Sequence, residues 1–271
     1  MAADQLNAVV AQRIEVSPGL IILRVVPEGW TPPPFESGQF AVLGLPASAP
    51  RFRFSDPEDE PPPPEKMIKR AYSIASTSVV PEYLEFYVTL VTSGALTPRL
   101  FELRSGDRLH LGPRITGSFT LQDVPGDCNV VMVATGTGLA PYMSMMRSRL
   151  VCGAPRRFAL IHGARHSWDL GYRSELITLV RLCANFNYIP VISRPGEEPI
   201  AWSGRTGYVQ DIWNARVVDE MWGLRVTPES THILLCGNPA MIEHMEQVLA
   251  AEGFKEHRRK EPGQVHSEKY W

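Results

Sequence analysis

Arg70, Tyr72 and Ser73 place a fixed cation, an aromatic ring and a hydroxyl close together in one strand-like run, Lys69 to Ser76. Extended backbone points successive side chains to opposite faces, so Arg70 and Tyr72 share one face and Ser73 takes the other. A guanidinium forks onto phosphate oxygens, an aromatic ring stacks on a planar heterocycle, and a hydroxyl bonds a ring heteroatom. The set suits a flat heterocycle tethered to phosphate. The same residues also read as half of an amphipathic edge strand.

Further groups along the chain suit the same chemistry. Thr97 and Pro98 read as the N-cap and first residue of a short helix entered through a turn at Gly94, whose free N–H groups favour a phosphate. Thr135-Gly136-Thr137-Gly138-Leu139-Ala140-Pro141 follows an apolar strand and precedes a helical pattern. Backbone N–H groups there can meet a pyrophosphate, although a ligand-free turn is the competing reading. Arg165, Arg194 and Arg205 follow strands and suit a dianionic 2′-phosphate, the mark of NADP over NAD. Cys236-Gly237-Asn238-Pro239 ends the last apolar strand. A buried structural thiol is its common reading, and a thiol beside a nicotinamide is the functional one. The chain ends Glu268-Lys269-Tyr270-Trp271, with two large aromatics that gain from docking on a planar ligand or an apolar groove. Lys255, Arg258, Arg259 and Lys260 form a basic cluster, either a solvated helix end or a face for an acidic partner.

Two kinds of scaffold must position these groups. Residues 1–121 carry short β-branched runs, Val9 to Val16, Leu20 to Val26, Gln39 to Leu45, Tyr83 to Val91, Ser105 to Gly112 and Arg114 to Leu121, with one small helix, which predicts a closed antiparallel barrel. Between two of these runs, Asp56 to Pro64 is acidic and proline-rich, and reads as an exposed loop. Residues 122–260 alternate apolar strands with helices, predicting a doubly wound parallel sheet whose ligands sit at the carboxyl ends of its strands. The helices are expected over Met143 to Val151, Arg173 to Cys183, Tyr208 to Arg216 and Pro239 to Glu252. Residues 261–271 remain as a tail.

The 271 residues are 44% hydrophobic with a net charge of −2, ample for two cores and without a nucleic-acid footprint. No apolar run is long enough for a membrane span, and no signal peptide is expected, so the setting reads as cytoplasmic. The four cysteines, Cys128, Cys152, Cys183 and Cys236, are widely spaced and expected as free thiols. His162 and His166 are spaced as helical metal ligands can be, yet no third ligand follows, and no metal is expected.

Taken in order, Arg70 to Ser73, Gly94 to Pro98, Thr135 to Gly138, Cys236 to Pro239 and Glu268 to Trp271 closely resemble the bacterial ferredoxin/flavodoxin–NADP reductases over nearly the whole chain. The resemblance implies an FAD-binding Greek-key barrel followed by an NADP-binding domain, with a tail packing back on the FAD. It implies hydride transfer between nicotinamide and flavin, then single-electron steps to acidic ferredoxin or flavodoxin, by a monomer. By resemblance, Arg70 contacts the FAD pyrophosphate, Ala71 also binds the FAD, Tyr72 stacks on the isoalloxazine, and Ser73 bonds near its N5. Tyr87, Val88 and Thr89 line the flavin, Ala95, Leu96 and Thr97 hold the pyrophosphate, and Thr137 also touches FAD. Tyr270 covers the other flavin face and Trp271 the adenine. Thr135, Gly136, Gly138, Ala164, Arg165, Ser193, Arg194, Arg205, Gly237 and Asn238 form the expected NADP site. Ser73, Cys236, Glu268 and Tyr270 surround the reacting atoms. The Asp56–Pro64 insertion departs from the family core. A related flavin reductase or oxygenase electron-transfer component is the alternative activity, and a flavin-containing regulatory module without turnover is the non-enzymatic one.

Overall fold

The computed structural model describes residues 6–80 and 82–269. They divide into two compact units, Met1–Thr120 with Ala140–Ser148, and Leu121–Leu139 with Arg149–Trp271.

The first unit contains strands β1 (Ala8–Ser17), β2 (Leu20–Pro27), β3 (Phe40–Pro46), β4 (Met67–Ser73), β5 (Leu84–Thr89) and β6 (Arg108–Leu111), with helix α1 (Thr97–Glu102). The sheet order is β4-β3-β6-β1-β2-β5 and every pairing is antiparallel. An Ile74–Phe86 bridge and an Ala75 N–H to Glu85 carbonyl bond of 2.8 Å join the segment after β4 to β5. The sheet is thereby closed into the expected Greek-key barrel around Ile21, Leu23, Leu43, Phe86, Leu109 and Leu111, all fully buried. The expected strand from Arg114 to Leu121 reduces to a Thr116–Phe40 bridge. Pro113 has no N–H to give a ladder, and Gly117 sits at φ 135°, so pairing cannot extend.

Helix α2 (Ala140–Arg149) starts earlier than its apolar pattern suggested. It follows the glycine turn in sequence yet packs with the barrel strands through Ser148. Tyr142 lies 5.9 Å from Phe119, and Arg147 donates to the fully buried Glu85 at 2.7 Å. Arg24 takes the other Glu85 oxygen at 2.7 Å, so this buried carboxylate has two counter-charges, as burial demands.

The second unit holds β7 (Asn129–Thr135), β8 (Phe158–Ala164), β9 (Phe186–Ile192), β10 (Arg205–Thr206), β11 (Thr231–Gly237) and β12 (Val265–Lys269). All pairs are parallel, in the order β10-β9-β8-β7-β11-β12. Helices α3 (Arg173–Leu182), α4 (Val209–Asn214), α5 (Val217–Trp222) and α6 (Pro239–Ala251) complete it. The apolar strands are buried on both faces, as parallel sheets require. Helix α5 was not expected; Arg216 at φ 56° breaks the helical run and starts a second one. Strand β12 is likewise new: the expected tail extends the sheet beside β11.

Several expectations change. Thr97 is the first helical residue rather than the cap, because its hydroxyl is spent on Val91, donating to the carbonyl at 3.1 Å and accepting from the N–H at 3.0 Å. Cys152 and Cys183, expected free, are joined as a disulfide with Cα atoms 4.5 Å apart, while Cys128 and Cys236 are free. The end of α3 and the loop after α2 meet there, where Asn185 bonds the Gly153 N–H at 3.1 Å and the Val151 carbonyl at 3.0 Å. His162 lies on strand β8 and His166 beyond it, so they do not share a helix face. Among the described residues no group of His, Cys, Asp or Glu could hold a metal ion, and no helix is long and apolar enough to cross a membrane.

Candidate functional site

In the barrel, β4 pairs with β3 so that Leu43 faces Arg70, Val42 faces Ala71, Ala41 faces Tyr72 and Phe40 faces Ser73. Arg70 and Ala71 are exposed, Tyr72 is half-buried against the barrel core, and Ser73 is buried. The alternation expected from the sequence is therefore present. Burial pushes the Tyr72 phenol up, against the lowering effect of Arg70, so the ring stays neutral. Arg70 uses one Nη1 donor on the Lys69 carbonyl at 2.8 Å.

Ser73 Oγ is buried and has no hydrogen-bond partner. Such a hydroxyl costs about 1–3 kcal/mol if left unpaired, so a buried polar group of this kind calls for a ligand atom. The FAD expected from the sequence fits this observation, with the cation of Arg70 beside it in sequence for phosphate. Tyr87 and Val88 are buried in β5 and Thr89 is exposed at its end, in register with Ile22, Ile21 and Leu20. Ala95, Leu96 and Thr97 lead into α1, with Pro98 buried in its first turn.

Sequence reasoning missed Arg99 and Glu58. Arg99 is 3% exposed and donates to both Glu58 oxygens at 2.9 Å. The signal available was a charge between Pro98 and the apolar pair Leu100-Phe101 on a short helix. The Asp56–Pro64 loop is largely exposed, as expected, but Glu58 anchors its acidic end.

In the second unit, Thr135 ends β7 and Gly136–Leu139 forms a 3-10 turn leading to α2. Asn238 N–H donates to Thr135 Oγ1 at 2.9 Å. A Cβ on Gly138 would collide with the Cys236 carbonyl, and one on Gly237, at φ 135°, with Thr135 Oγ1. The two glycine motifs thus meet backbone to backbone, and only glycine fits at their crossing. Asn238 Oδ1 also caps α6, accepting from the N–H groups of Ala240 and Met241 at 2.9 and 3.3 Å. Gly136 and Thr137 are on the open part of the turn.

Cys236 is fully buried and faces Glu268 across the β11–β12 pairing. Burial first, and Glu268 second, hold its thiol well above the ordinary cysteine range, so it stays protonated rather than a thiolate. Glu268 is half-buried. Tyr270 and Trp271 lie outside the described residues.

Ala164 and Ser193 follow on β8 and β9, joined by a Ser193 N–H to Ala164 carbonyl bond of 3.0 Å, and Arg194 N–H reaches the Arg165 carbonyl at 2.9 Å. Arg205 pairs with Val191 on the short β10. Arg165, Arg194 and Arg205 are all exposed and sit on three neighbouring strands or their ends. Arg205 also lines a cavity of about 400 Å³ with Tyr188, Pro190 and Met221. Next to Arg165, His166 is bonded by Glu197 at 2.8 Å and Asp169 at 3.2 Å and stacks on Trp168 at 4.3 Å. The Glu197 bond leads in raising the imidazole above its ordinary value. An exposed trio of guanidiniums on three neighbouring strands or their ends fits a phosphorylated dinucleotide.

The basic cluster lies on a turn between α6 and β12, not on a helix end. Arg258 pairs with Glu256 at 2.7 Å, while Lys255, Arg259 and Lys260 are exposed. Lys269, at the end of β12, reaches Glu243 on α6 at 3.5 Å.

Residues 132–247 match the family model described as an oxidoreductase NAD-binding domain. The flavodoxin/ferredoxin–NADP reductase of Shigella flexneri is 32% identical over 241 residues, covering 88% of each chain. That of Escherichia coli strain K12 is 31% identical over 240 residues, again with 88% of each chain. Among solved structures, a ferredoxin NADP+ reductase from Neisseria gonorrhoeae with bound FAD and NADP aligns over 100% of both chains at a TM-score of 0.79 and 24% identity. A cytochrome P450 reductase from Amycolatopsis aligns at 0.71 and 26% identity, over 97% of this chain and 69% of the other. Sequence identity over nearly the full length joins with the closed barrel, the parallel sheet and the ordered motifs, and the chain belongs to the flavodoxin/ferredoxin–NADP reductase family.

Proposed function

We propose that the chain passes electrons between NADPH and ferredoxin or flavodoxin, with FAD held by residues 1–121 and NADP(H) by residues 122–260. The observation that carries this is Ser73 Oγ, buried and partnerless at the end of the strand that bears Arg70 and Tyr72. Bound FAD supplies the exchange between two-electron hydride chemistry and single-electron transfer.

The residues of the chain divide the remaining work. Ser73 donates its hydroxyl hydrogen to a flavin ring heteroatom, and Arg70 neutralises pyrophosphate charge. Tyr72, kept neutral by burial, offers one ring face. Ala95, Leu96 and Thr97 present backbone to the pyrophosphate. Cys236, as an uncharged thiol, gives the nicotinamide a small apolar neighbour, and Glu268 opposite it supplies a carboxylate. Arg165, Arg194 and Arg205 select the 2′-phosphate. Lys255, Arg259 and Lys260 suit an acidic carrier protein. The protein works as a cytoplasmic monomer in this reading.

The fold likeness to a cytochrome P450 reductase supports a second reading, an electron-transfer component serving an oxygenase or free flavin. An anaerobic assay separates them. NADPH is supplied with ferredoxin, flavodoxin or free riboflavin, and the rate of acceptor reduction is followed. The proposal expects the protein carriers to be reduced with far higher kcat/KM than riboflavin; preference for riboflavin favours the second reading.

A further inference from the structure

Neither nucleotide reading accounts for the Asp56–Pro64 insertion. Its Glu58 accepts from Arg99 Nη1 and Nη2 at 2.9 Å and from Arg51 Nη1 at 2.9 Å. Arg99 also donates to the Ala95 carbonyl at 2.6 Å and the Ala47 carbonyl at 2.7 Å. Arg51 donates to the Gly94 carbonyl at 3.1 Å and the Asp56 carbonyl at 2.8 Å. Asp56 itself accepts from Thr92 Oγ1 at 3.0 Å. One carboxylate from the insertion therefore serves two guanidiniums, and each guanidinium grips a carbonyl of the Gly94–Ala95 turn.

Peptide geometry gives this grip a consequence. In a trans peptide the C=O and the following N–H point in opposite directions. With the Gly94 carbonyl turned to Arg51 and the Ala95 carbonyl turned to Arg99, the N–H groups of Ala95 and Leu96 point away from the clip. Among the described residues neither N–H donates to another group of the chain. Two free, fixed N–H groups in succession, with the opposing carbonyls neutralised, make a concave anion site.

We infer that Glu58 is a positioning residue for the cofactor: by holding Arg51 and Arg99 it fixes the Gly94–Ala95 turn with its N–H groups presented to a pyrophosphate. The inference rests on the proposed flavin reading. The insertion is then a brace on the FAD site rather than a free loop. The Arg99 hydrogen bond leads in holding the Glu58 carboxyl below its usual range, against the opposing effect of burial, so the brace is anionic at neutral pH.

The test is FAD affinity of the purified holoprotein, read from the rise of flavin fluorescence on dilution, in wild type, Glu58→Gln, Arg51→Gln and Arg70→Ala. Glu58→Gln keeps the shape and removes the charge, and weakens FAD about tenfold, the scale of one charge-assisted bond. Arg51→Gln leaves the Glu58–Arg99 pair in place and removes the guanidinium's bonds to Glu58, the Asp56 carbonyl and the Gly94 carbonyl, weakening FAD about threefold. The melting midpoint of Arg51→Gln at saturating FAD falls by no more than the threefold loss of affinity requires, whereas a purely structural role lowers it further. FAD affinity unchanged in both variants, while Arg70→Ala weakens it, overturns the inference and leaves the flavin reading standing. Affinity unchanged in all three overturns both.

Discussion

In the barrel, the charges behind the Gly94–Ala95 turn are bonded on every side: Arg99 is 3% exposed and shares the half-buried Glu58 with the half-buried Arg51. In the α/β unit, Arg165, Arg194 and Arg205 are exposed, and the nearest carboxylate contact is Arg194 to Glu197 at 3.6 Å. The first arrangement is fixed before a ligand arrives, so little ordering entropy is lost on binding. The second leaves its guanidiniums hydrated and movable, which weakens binding and permits release. A resident cofactor wants the first and an exchanging dinucleotide the second. The contrast in burial thus parallels the proposed division between retained FAD and cycling NADPH.

The largest expected effect breaks the barrel side. Arg70→Ala removes a fixed cation from the pyrophosphate and weakens FAD roughly a hundredfold, on the scale of a charge-assisted pair. Equilibrium dialysis of flavin against the variant checks it.

Acid treatment sharpens the comparison next. His162 and His266, both in the α/β unit, are held at about 3 by burial, against an ordinary value of 6.5. For His266, His257 and His232 add to the effect; their rings stack on or bond it at 4.4 Å and 3.0 Å. The folded state keeps these imidazoles neutral while the unfolded chain takes up protons. Stability is therefore full above the unfolded value and declines as pH falls below it, by about 2 kcal/mol for each between about pH 7 and pH 5. In the barrel, Glu58 is held below its ordinary value of 4.5, so its contribution is present above that value and is lost only as pH falls below it. Hydrogen exchange at about pH 5 is expected to show protection falling first in the α/β strands. Loss starting in the barrel would contradict the assignment.

Smaller effects follow on the substrate side. Arg165→Ala and Arg194→Ala each lower the NADPH-to-NADH ratio of kcat/KM about tenfold, through kcat/KM for NADPH alone. FAD content is unchanged. A smaller change comes from Ser73→Ala, which slows the NADPH-driven flavin bleaching about fivefold in stopped flow while FAD is retained. Loss of FAD in that variant would move Ser73 from orienting the flavin ring to holding the cofactor.

The legible parts of the molecule were those carried by local pattern. Arg70 to Ser73 alternates faces as its strand period dictates, and the apolar runs of β7, β8, β9 and β11 were readable because strands buried on both faces carry few polar positions to blur them. The Glu58–Arg99 clip joins residues 41 positions apart, and no local spacing encodes such a contact. Strand β12 was hidden because Val265-His266-Ser267-Glu268-Lys269 has one strongly apolar residue; it is a strand through its backbone ladder to β11. The Cys152–Cys183 pair, separated by 31 positions, depends on two loops meeting at one end of the sheet. Thr97 illustrates a near miss, since the right residue type was present but its hydroxyl bonds Val91 instead of the helix end.

The most direct test of retained FAD served by cycling NADPH is an anaerobic titration of the purified, gel-filtered protein followed by its visible spectrum. The account predicts a yellow protein carrying stoichiometric FAD, bleached by NADPH at low concentration and by NADH only at much higher concentration, with colour restored on adding oxidised ferredoxin or flavodoxin. A colourless protein that takes up no FAD, or a yellow one that NADPH leaves unbleached, would contradict it.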